Sequence, residues 1–306
     1  MVRLFFCFLL LGSWSVPAGA QANSQPMDLG AITRYADVND LRFPYYDYGS
    51  GPVVLLLHGF PDSKYLWRHQ LQPLADAGYR VIAPDLRGYG DAPKPEGVEA
   101  YAIPHILADL TGLLDALDLE KAHIVGHDWG GTVAWLLAGY HPDRCRSVTG
   151  LTVGAPGGPG RRALPQLEKF WYVFFFQNEG VAEEWLQRDN WQGLRAWTRG
   201  RGDLDRYMEE LGKTGALTAG LNWYRANFKP ASLNSTGSNA PRITVPAMGM
   251  AADGDAFLLE NHVKGSEAMI DSTWEYHLIR DASHWLMLDQ PETFNRLLID
   301  FLNRMN

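Results

Sequence analysis

Short apolar runs bounded by glycine, proline and aspartate alternate along this 306-residue chain with longer stretches of helical spacing. Residues 32–38 and 41–48 predict an antiparallel strand pair. Residues 53–57, 79–83, 122–125 and 147–153 are almost continuously apolar, the pattern of strands buried on both faces. Helical patterns at 67–77 and 103–117 lie between them, so the order predicts an α/β fold whose mostly parallel, doubly wound sheet is covered by helices on both faces. The alternation stops at Gly154-Ala155-Pro156-Gly157-Gly158-Pro159-Gly160, a hinge-like loop. From 164 to 228 the chain is aromatic and helical without a strand signal; the sheet pattern resumes at 243–250 and 274–279 and closes with an amphipathic helix at 291–305. The expected organisation is a core in two parts, 27–156 and 239–306, with a helical lid at 157–238 between them. No internal repeat or low-complexity segment interrupts it.

Composition narrows the function. With 46% hydrophobic residues the chain can bury a large core, and its net charge of −8 speaks against nucleic acid or an anionic membrane surface as partner. Arg161 and Arg162 read as a solvated turn. The N-terminus reads as a signal peptide, residues 1–20. Met1-Val2-Arg3 is its positive region, residues 4–14 an apolar stretch too short to span a bilayer, and Ala18-Gly19-Ala20 a small-residue cleavage signal. Ala20-Gln21-Ala22 would place the cut two residues later. Export to the periplasm or medium, without stable membrane insertion, is the expectation. Cys7 leaves with that peptide, so Cys145 stands alone and no intramolecular disulfide can form; lacking a nearby base motif, it reads as structural.

The chemistry gathers at loops that follow strands. Gly126-His127-Asp128-Trp129-Gly130-Gly131 joins an apolar strand pattern to an apolar helix pattern at 132–140. That context makes it a nucleophile elbow, a tight turn whose glycines let the central side chain project from the sheet edge. A helix-capping aspartate is the bland alternative. Asp128 stands where such turns usually carry serine, and a carboxylate with a pKa near 4 is ionised at neutral pH without help from a base. Carboxylate attack on an ester or amide would give a reactive anhydride, whereas attack at a saturated carbon gives an alkyl ester that water can cleave. Asp128 therefore points to epoxide opening or halide displacement rather than peptidase or lipase work.

Three further loops supply partners. His58-Gly59-Phe60-Pro61-Asp62-Ser63 follows the 53–57 strand and offers a backbone N–H of an oxyanion hole, assigned to Phe60; Trp129, after the nucleophile, offers the second. His58 reads as structural, and Phe60-Pro61 as a candidate cis bond. Asp281-Ala282-Ser283-His284-Trp285 follows the last strand, where the general base is expected, so His284 is assigned that role. Of the other histidines, His69 lies in an early helix, His127 points away from Asp128, and His105, His123, His141, His262 and His277 read as lying away from the catalytic sheet edge. The loop 251–258 holds two candidates for the acid that orients His284. Asp255, before an apolar run leading into a helix, is favoured, and Asp253 reads as a turn cap.

Taken together, His-Gly-Phe-Pro-Asp-Ser, the Pro84-to-Asp91 segment Pro-Asp-Leu-Arg-Gly-Tyr-Gly-Asp, Gly-His-Asp-Trp-Gly-Gly and Ser-His-Trp resemble an α/β-hydrolase of the epoxide hydrolase group, over nearly the whole chain beyond the signal peptide. The lid segments starting at Trp171-Tyr172 and Asn222-Trp223-Tyr224 resemble that group's two tyrosine segments. The resemblance implies that Tyr172 and Tyr224 hydrogen-bond the epoxide oxygen and protonate the leaving alkoxide; packing within an aromatic lid is their alternative role. It implies an enzyme without a cofactor or metal that takes a small apolar epoxide and water to a vicinal diol through an ester on Asp128. Trp171, Phe174, Phe175, Phe176 and Trp185 suggest the apolar substrate site. A homodimer is compatible with the sequence. The second reading is a haloalkane or haloacid dehalogenase, although haloacetate dehalogenases tend to carry histidine at the place of Tyr172 and arginine at that of Trp129. A non-catalytic binding protein on the same fold is the third, and the full set of reactive side chains argues against it.

Overall fold

The computed structural model describes residues 27–159, 163–229 and 240–306. The expected signal peptide and the Arg161-Arg162 turn lie outside the described residues. Among those residues no helix is long and apolar enough to cross a membrane.

The N-terminal half consists of β1 (Thr33–Val38), β2 (Leu41–Gly49), β3 (Val53–Leu57), α1 (Arg68–Asp76), β4 (Arg80–Pro84), α2 (Ile103–Ala116), β5 (Ala122–His127), α3 (Trp129–Tyr140) and β6 (Cys145–Leu151). Among the described residues five helices follow without a strand: α4 (Leu164–Lys169), α5 (Trp171–Phe175), α6 (Val181–Trp197), α7 (Leu204–Leu211) and α8 (Ala216–Asn227). The chain then returns to the sheet with β7 (Ala247–Ala252), α9 (Glu260–Lys264), β8 (Trp274–Ile279), α10 (Leu286–Asp289) and α11 (Pro291–Arg304).

The eight strands form one sheet in the order β1-β2-β4-β3-β5-β6-β7-β8. β2 pairs antiparallel with both β1 and β4, and the remaining neighbours run parallel. Every residue of β3, β5 and β7 is buried, as continuous apolar runs require when helices cover both faces. Because the central strands run parallel, the loops after β3, β5, β7 and β8 open at one edge, the usual place for a ligand in such sheets.

Element boundaries depart from the sequence pattern where proline or tertiary contacts intervene. The strand expected at 243–250 begins only at Ala247: Pro246 has no N–H for the ladder, and Ile243 makes an isolated bridge to Ile270. Within α6 the backbone leaves helical geometry from Arg188 to Trp191. The Pro84-to-Asp91 segment is braced from beneath: buried Asp85 accepts the Lys64 N–H at 2.7 Å and its Nζ at 2.6 Å. Cys145 is buried in β6, and burial pushes its thiol up to about 12, so it stays a protonated packing group.

Candidate active site

β5 ends at His127 and α3 begins at Trp129, leaving Asp128 alone in the turn with φ 53° and ψ −120°. Such a conformation costs a non-glycine residue energy and is held here by close packing on both sides. A Cβ on Gly126 would lie 2.1 Å from the Gly130 carbonyl oxygen, and one on Gly130 would lie 2.2 Å from that of Leu57. Glycine is therefore required at both places, and the elbow can sit tightly against β3.

The loop after β3 reaches the same carboxylate. The Phe60 N–H donates to Asp128 Oδ1 at 2.9 Å, and the Phe60–Pro61 bond is cis. Trp129, as the first residue of α3, has a backbone N–H without an intrahelical acceptor. His58 is held by its loop: its Nε2 accepts the Leu86 N–H at 3.0 Å, which leaves Nδ1 to donate to the Gly59 carbonyl at 3.0 Å. Burial drives its pKa down to about 4, so it is neutral.

His284 stands between two aspartates. Its Nδ1 is 2.9 Å from Asp255 Oδ2, and its Nε2 is 3.7 Å from Asp128 Oδ2. Asp255 Oδ1 accepts the N–H groups of Phe257 at 2.7 Å and Leu258 at 3.0 Å. Burial alone would raise the Asp255 pKa, but His284 and these donors hold it below the usual carboxylate range. Asp255 is thus an acceptor on both oxygens, and His284 donates to it through Nδ1. For His284, burial acts to lower the pKa, yet the Asp255 charge, its hydrogen bond and the nearby Asp128 carboxylate outweigh it and lift the value to about 10. Asp253 does not meet His284. It accepts a long contact from the Ala282 N–H at 3.5 Å and lies 3.9 Å from Arg280, closing the turn.

Tyr172 on α5 and Tyr224 on α8 are buried, with ring centroids 6.0 Å apart at 79°. Tyr224 also stands edge-on to Trp129 at 5.1 Å and to Phe60 at 5.7 Å. Burial, then the Asp128 charge, then Tyr172 raise its pKa well above the ordinary phenol range, so its hydroxyl keeps its proton. Asp128, Trp129, Tyr172 and Tyr224 line one cavity of about 50 Å³, whose remaining wall is Val153, Phe170, Val173, Phe228, Leu258, Thr132 and His262. A wider cleft of about 670 Å³ reaches His284 past Asp253, Asp281 and Ser283, but contains neither Asp128 nor a lid tyrosine.

Two expectations need correction. His262, read as lying away from the catalytic edge, lines the cavity, because α9 folds back against the chain leaving β6: a Cβ on Gly154 would lie 1.9 Å from the His262 carbonyl. The aromatic set read as the substrate wall is absent from it. Trp171 is 49% exposed, Phe175 and Trp185 pack on each other at 5.4 Å, and Phe174 packs on the lining residue Phe228 at 5.2 Å without joining the wall itself. Phe176 instead supports both tyrosines at 5.5 and 5.2 Å. His127 does not bond Asp128, yet it is part of the site: its Nε2 meets the His284 carbonyl at 2.9 Å and its ring lies 4.6 Å from the imidazole.

Two residues of the site were assigned no role from the sequence. Thr132 sits one helical turn beyond Asp128 and faces the cavity. Buried Asp62 accepts the Trp285 indole N–H at 3.0 Å, tying the loop after β3 to the loop of His284. Among the described residues no group of three or more His, Cys, Asp or Glu side chains could hold a metal ion.

The chain is similar to known proteins. Epoxide hydrolase A of Mycobacterium tuberculosis is 35% identical over 90% of this chain and 98% of its own length. Epoxide hydrolase 3 of Siraitia grosvenorii is 34% identical over 88% and 97%. A crystal structure of a Bacillus megaterium epoxide hydrolase in complex with an inhibitor superposes with a TM-score of 0.81 at 26% identity, covering 88% of this chain and all of that one. The family model described as alpha/beta hydrolase fold matches residues 52–291, and with an eight-stranded sheet, an elbow after β5 and relatives of this similarity, the chain belongs to the α/β-hydrolase fold family.

Proposed function

We propose that the protein is an epoxide hydrolase that works through an ester on Asp128 and needs no cofactor. The observation that carries this reading is a buried carboxylate at the elbow sharing one cavity with two buried tyrosines. Asp128 attacks the less hindered ring carbon; the C–O bond breaks, and the ring oxygen takes a proton from Tyr172 or Tyr224. The intermediate is a hydroxyalkyl ester.

The high proton affinity of His284 gives this sequence its order. In the resting site the imidazolium is paired with two carboxylates. Alkylation turns Asp128 into a neutral ester, which removes one of the two charges that hold the proton on His284. The imidazolium can then return a proton to the tyrosinate, leaving a neutral base beside the ester. His284 next takes a proton from water as the hydroxide adds to the ester carbonyl, and the N–H groups of Phe60 and Trp129 hold the oxyanion. Collapse releases the diol and restores the Asp128 carboxylate with protonated His284. Protons balance over the cycle, and the net reaction consumes one water.

Because the first step needs no base, His284→Gln should still be alkylated but should fail to hydrolyse the ester. Intact-mass measurement after adding an alkyl epoxide is expected to show one substrate mass on this variant and none on Asp128→Ala. An unmodified His284→Gln protein, at concentrations the wild type turns over, would remove the ester mechanism.

A further inference from the structure

The cavity wall is not uniformly apolar. Beyond Asp128 and the tyrosines, Thr132 and His262 are the polar side chains in a lining otherwise made by Trp129 and five apolar residues. Both are buried. Thr132 is placed by α3, whose first turn also fixes Asp128, so its distance from the nucleophile is set by one helical repeat. Its hydroxyl makes no hydrogen bond with any described residue, although a threonine in a helix commonly donates back to the carbonyl one turn earlier. A hydroxyl without a protein partner in an otherwise apolar stretch of wall favours a ligand that brings an acceptor to it, whereas a purely hydrocarbon substituent that displaces water there leaves it unsatisfied.

Resting on the epoxide reading above, we propose that the substrate is an epoxide bearing a hydrogen-bonding oxygen on its substituent, an ether, carbonyl or hydroxyl, which Thr132 and His262 recognise. The sequence-based expectation of a small apolar epoxide is thereby narrowed to one that carries a polar atom beside its apolar part.

Butyl oxirane and (ethoxymethyl)oxirane form a nearly isosteric probe pair in which one methylene is replaced by oxygen. The ratio of kcat/KM, ether over alkyl, should fall about tenfold in Thr132→Val and in His262→Leu, while Thr132→Ser should keep the wild-type ratio. Taking each variant relative to wild type cancels the different intrinsic reactivities of the two rings. Product inhibition provides a check that needs no variant: the ether diol should inhibit the wild type more strongly than the alkyl diol, despite being the better hydrated of the two. Unchanged ratios in both variants, or stronger inhibition by the alkyl diol, overturn the assignment. Failure of the wild type to open either ring would instead overturn the epoxide reading itself.

Discussion

In the proposed mechanism the hydroxyls of Tyr172 and Tyr224 matter most when the epoxide oxygen becomes an alkoxide, since they are the donors placed to meet that charge in the cavity beside Asp128. Deleting one donor to such a charge costs a few kcal/mol, so Tyr172→Phe or Tyr224→Phe should each lower kcat/KM for an epoxide about 100-fold. The double variant should leave epoxide opening almost undetectable. Both rings remain in the aromatic cluster around Phe60 and Phe176, so circular dichroism should be unchanged. A departing halide needs no proton. If the double variant kept its rate on its best substrate, or released halide from a chloroalkane at an undiminished rate, the dehalogenase reading would replace the epoxide one.

At the scale of elements, the loops after β3 and β5 are fitted to each other, and Gly59 marks the contact. A Cβ there would lie 2.4 Å from Asp128 Oδ1 and 2.5 Å from its Cβ. Gly59→Ala should therefore displace the carboxylate or the Phe60 donor and lower kcat/KM by at least about 100-fold, because angstrom-scale misplacement is that costly. Gly97→Ala serves as the comparison: φ there is 84° but nothing lies within 4 Å of the new Cβ, so only roughly 1 kcal/mol of backbone strain should appear, with activity kept. Equal activity in the two variants would show that the loops do not depend on this contact. The same elements show what could be read from the chain beforehand. Asp128, His284 and Phe60 lie in strand-to-helix loops whose composition is local, and alternation of apolar runs is enough to put those loops at one sheet edge. His262 was misread because α9 is five residues long and is brought to the cavity by tertiary packing, including the close approach to Gly154 about a hundred positions away. The aromatic wall was misread for a related reason. In the short helix α5 one turn decides whether an aromatic faces solvent, as Trp171 does, or the cavity, as Tyr172 does, and the run Trp-Tyr-Val-Phe-Phe-Phe has no polar position to mark the face.

Across the whole molecule, the helical insertion is pinned to the core at both ends of its approach to the site. Arg68 on α1 grips Asp203, before α7, with two hydrogen bonds of 2.7 and 2.9 Å, while Trp223 on α8 donates to the Arg87 carbonyl at 2.9 Å and Asn227 to that of Tyr101 at 2.8 Å. A cavity of about 50 Å³ between these anchors is smaller than the few hundred Å³ typical of ligand sites, so substrate entry requires the insertion to shift. Asp62 lies where the insertion, the β3 loop and the His284 loop converge. It takes the Trp285 N–H, and Tyr207 of α7 packs its ring 5.8 Å from the Trp285 ring. Burial raises its pKa to about 7 against the opposing influence of the Trp285 indole and the Tyr207 hydroxyl; Asp203 pushes in the same direction as burial and His284 against it. The sign of the stability effect follows from that direction. An acid whose folded pKa lies above its unfolded value binds its proton more tightly when folded, so its presence becomes more costly to the folded state as pH rises from about 4 to about 7, after which the penalty is constant. Asp62→Asn removes this titration while leaving an acceptor for the indole. Thermal unfolding at about pH 5 and about pH 8 should therefore show the variant gaining on the wild type by a few kcal/mol, or several degrees in Tm, toward the higher pH. The other titrating groups, His284 included, are common to both proteins and largely cancel in the difference, so parallel pH profiles for variant and wild type would mean that Asp62 is already ionised in the folded protein across this range.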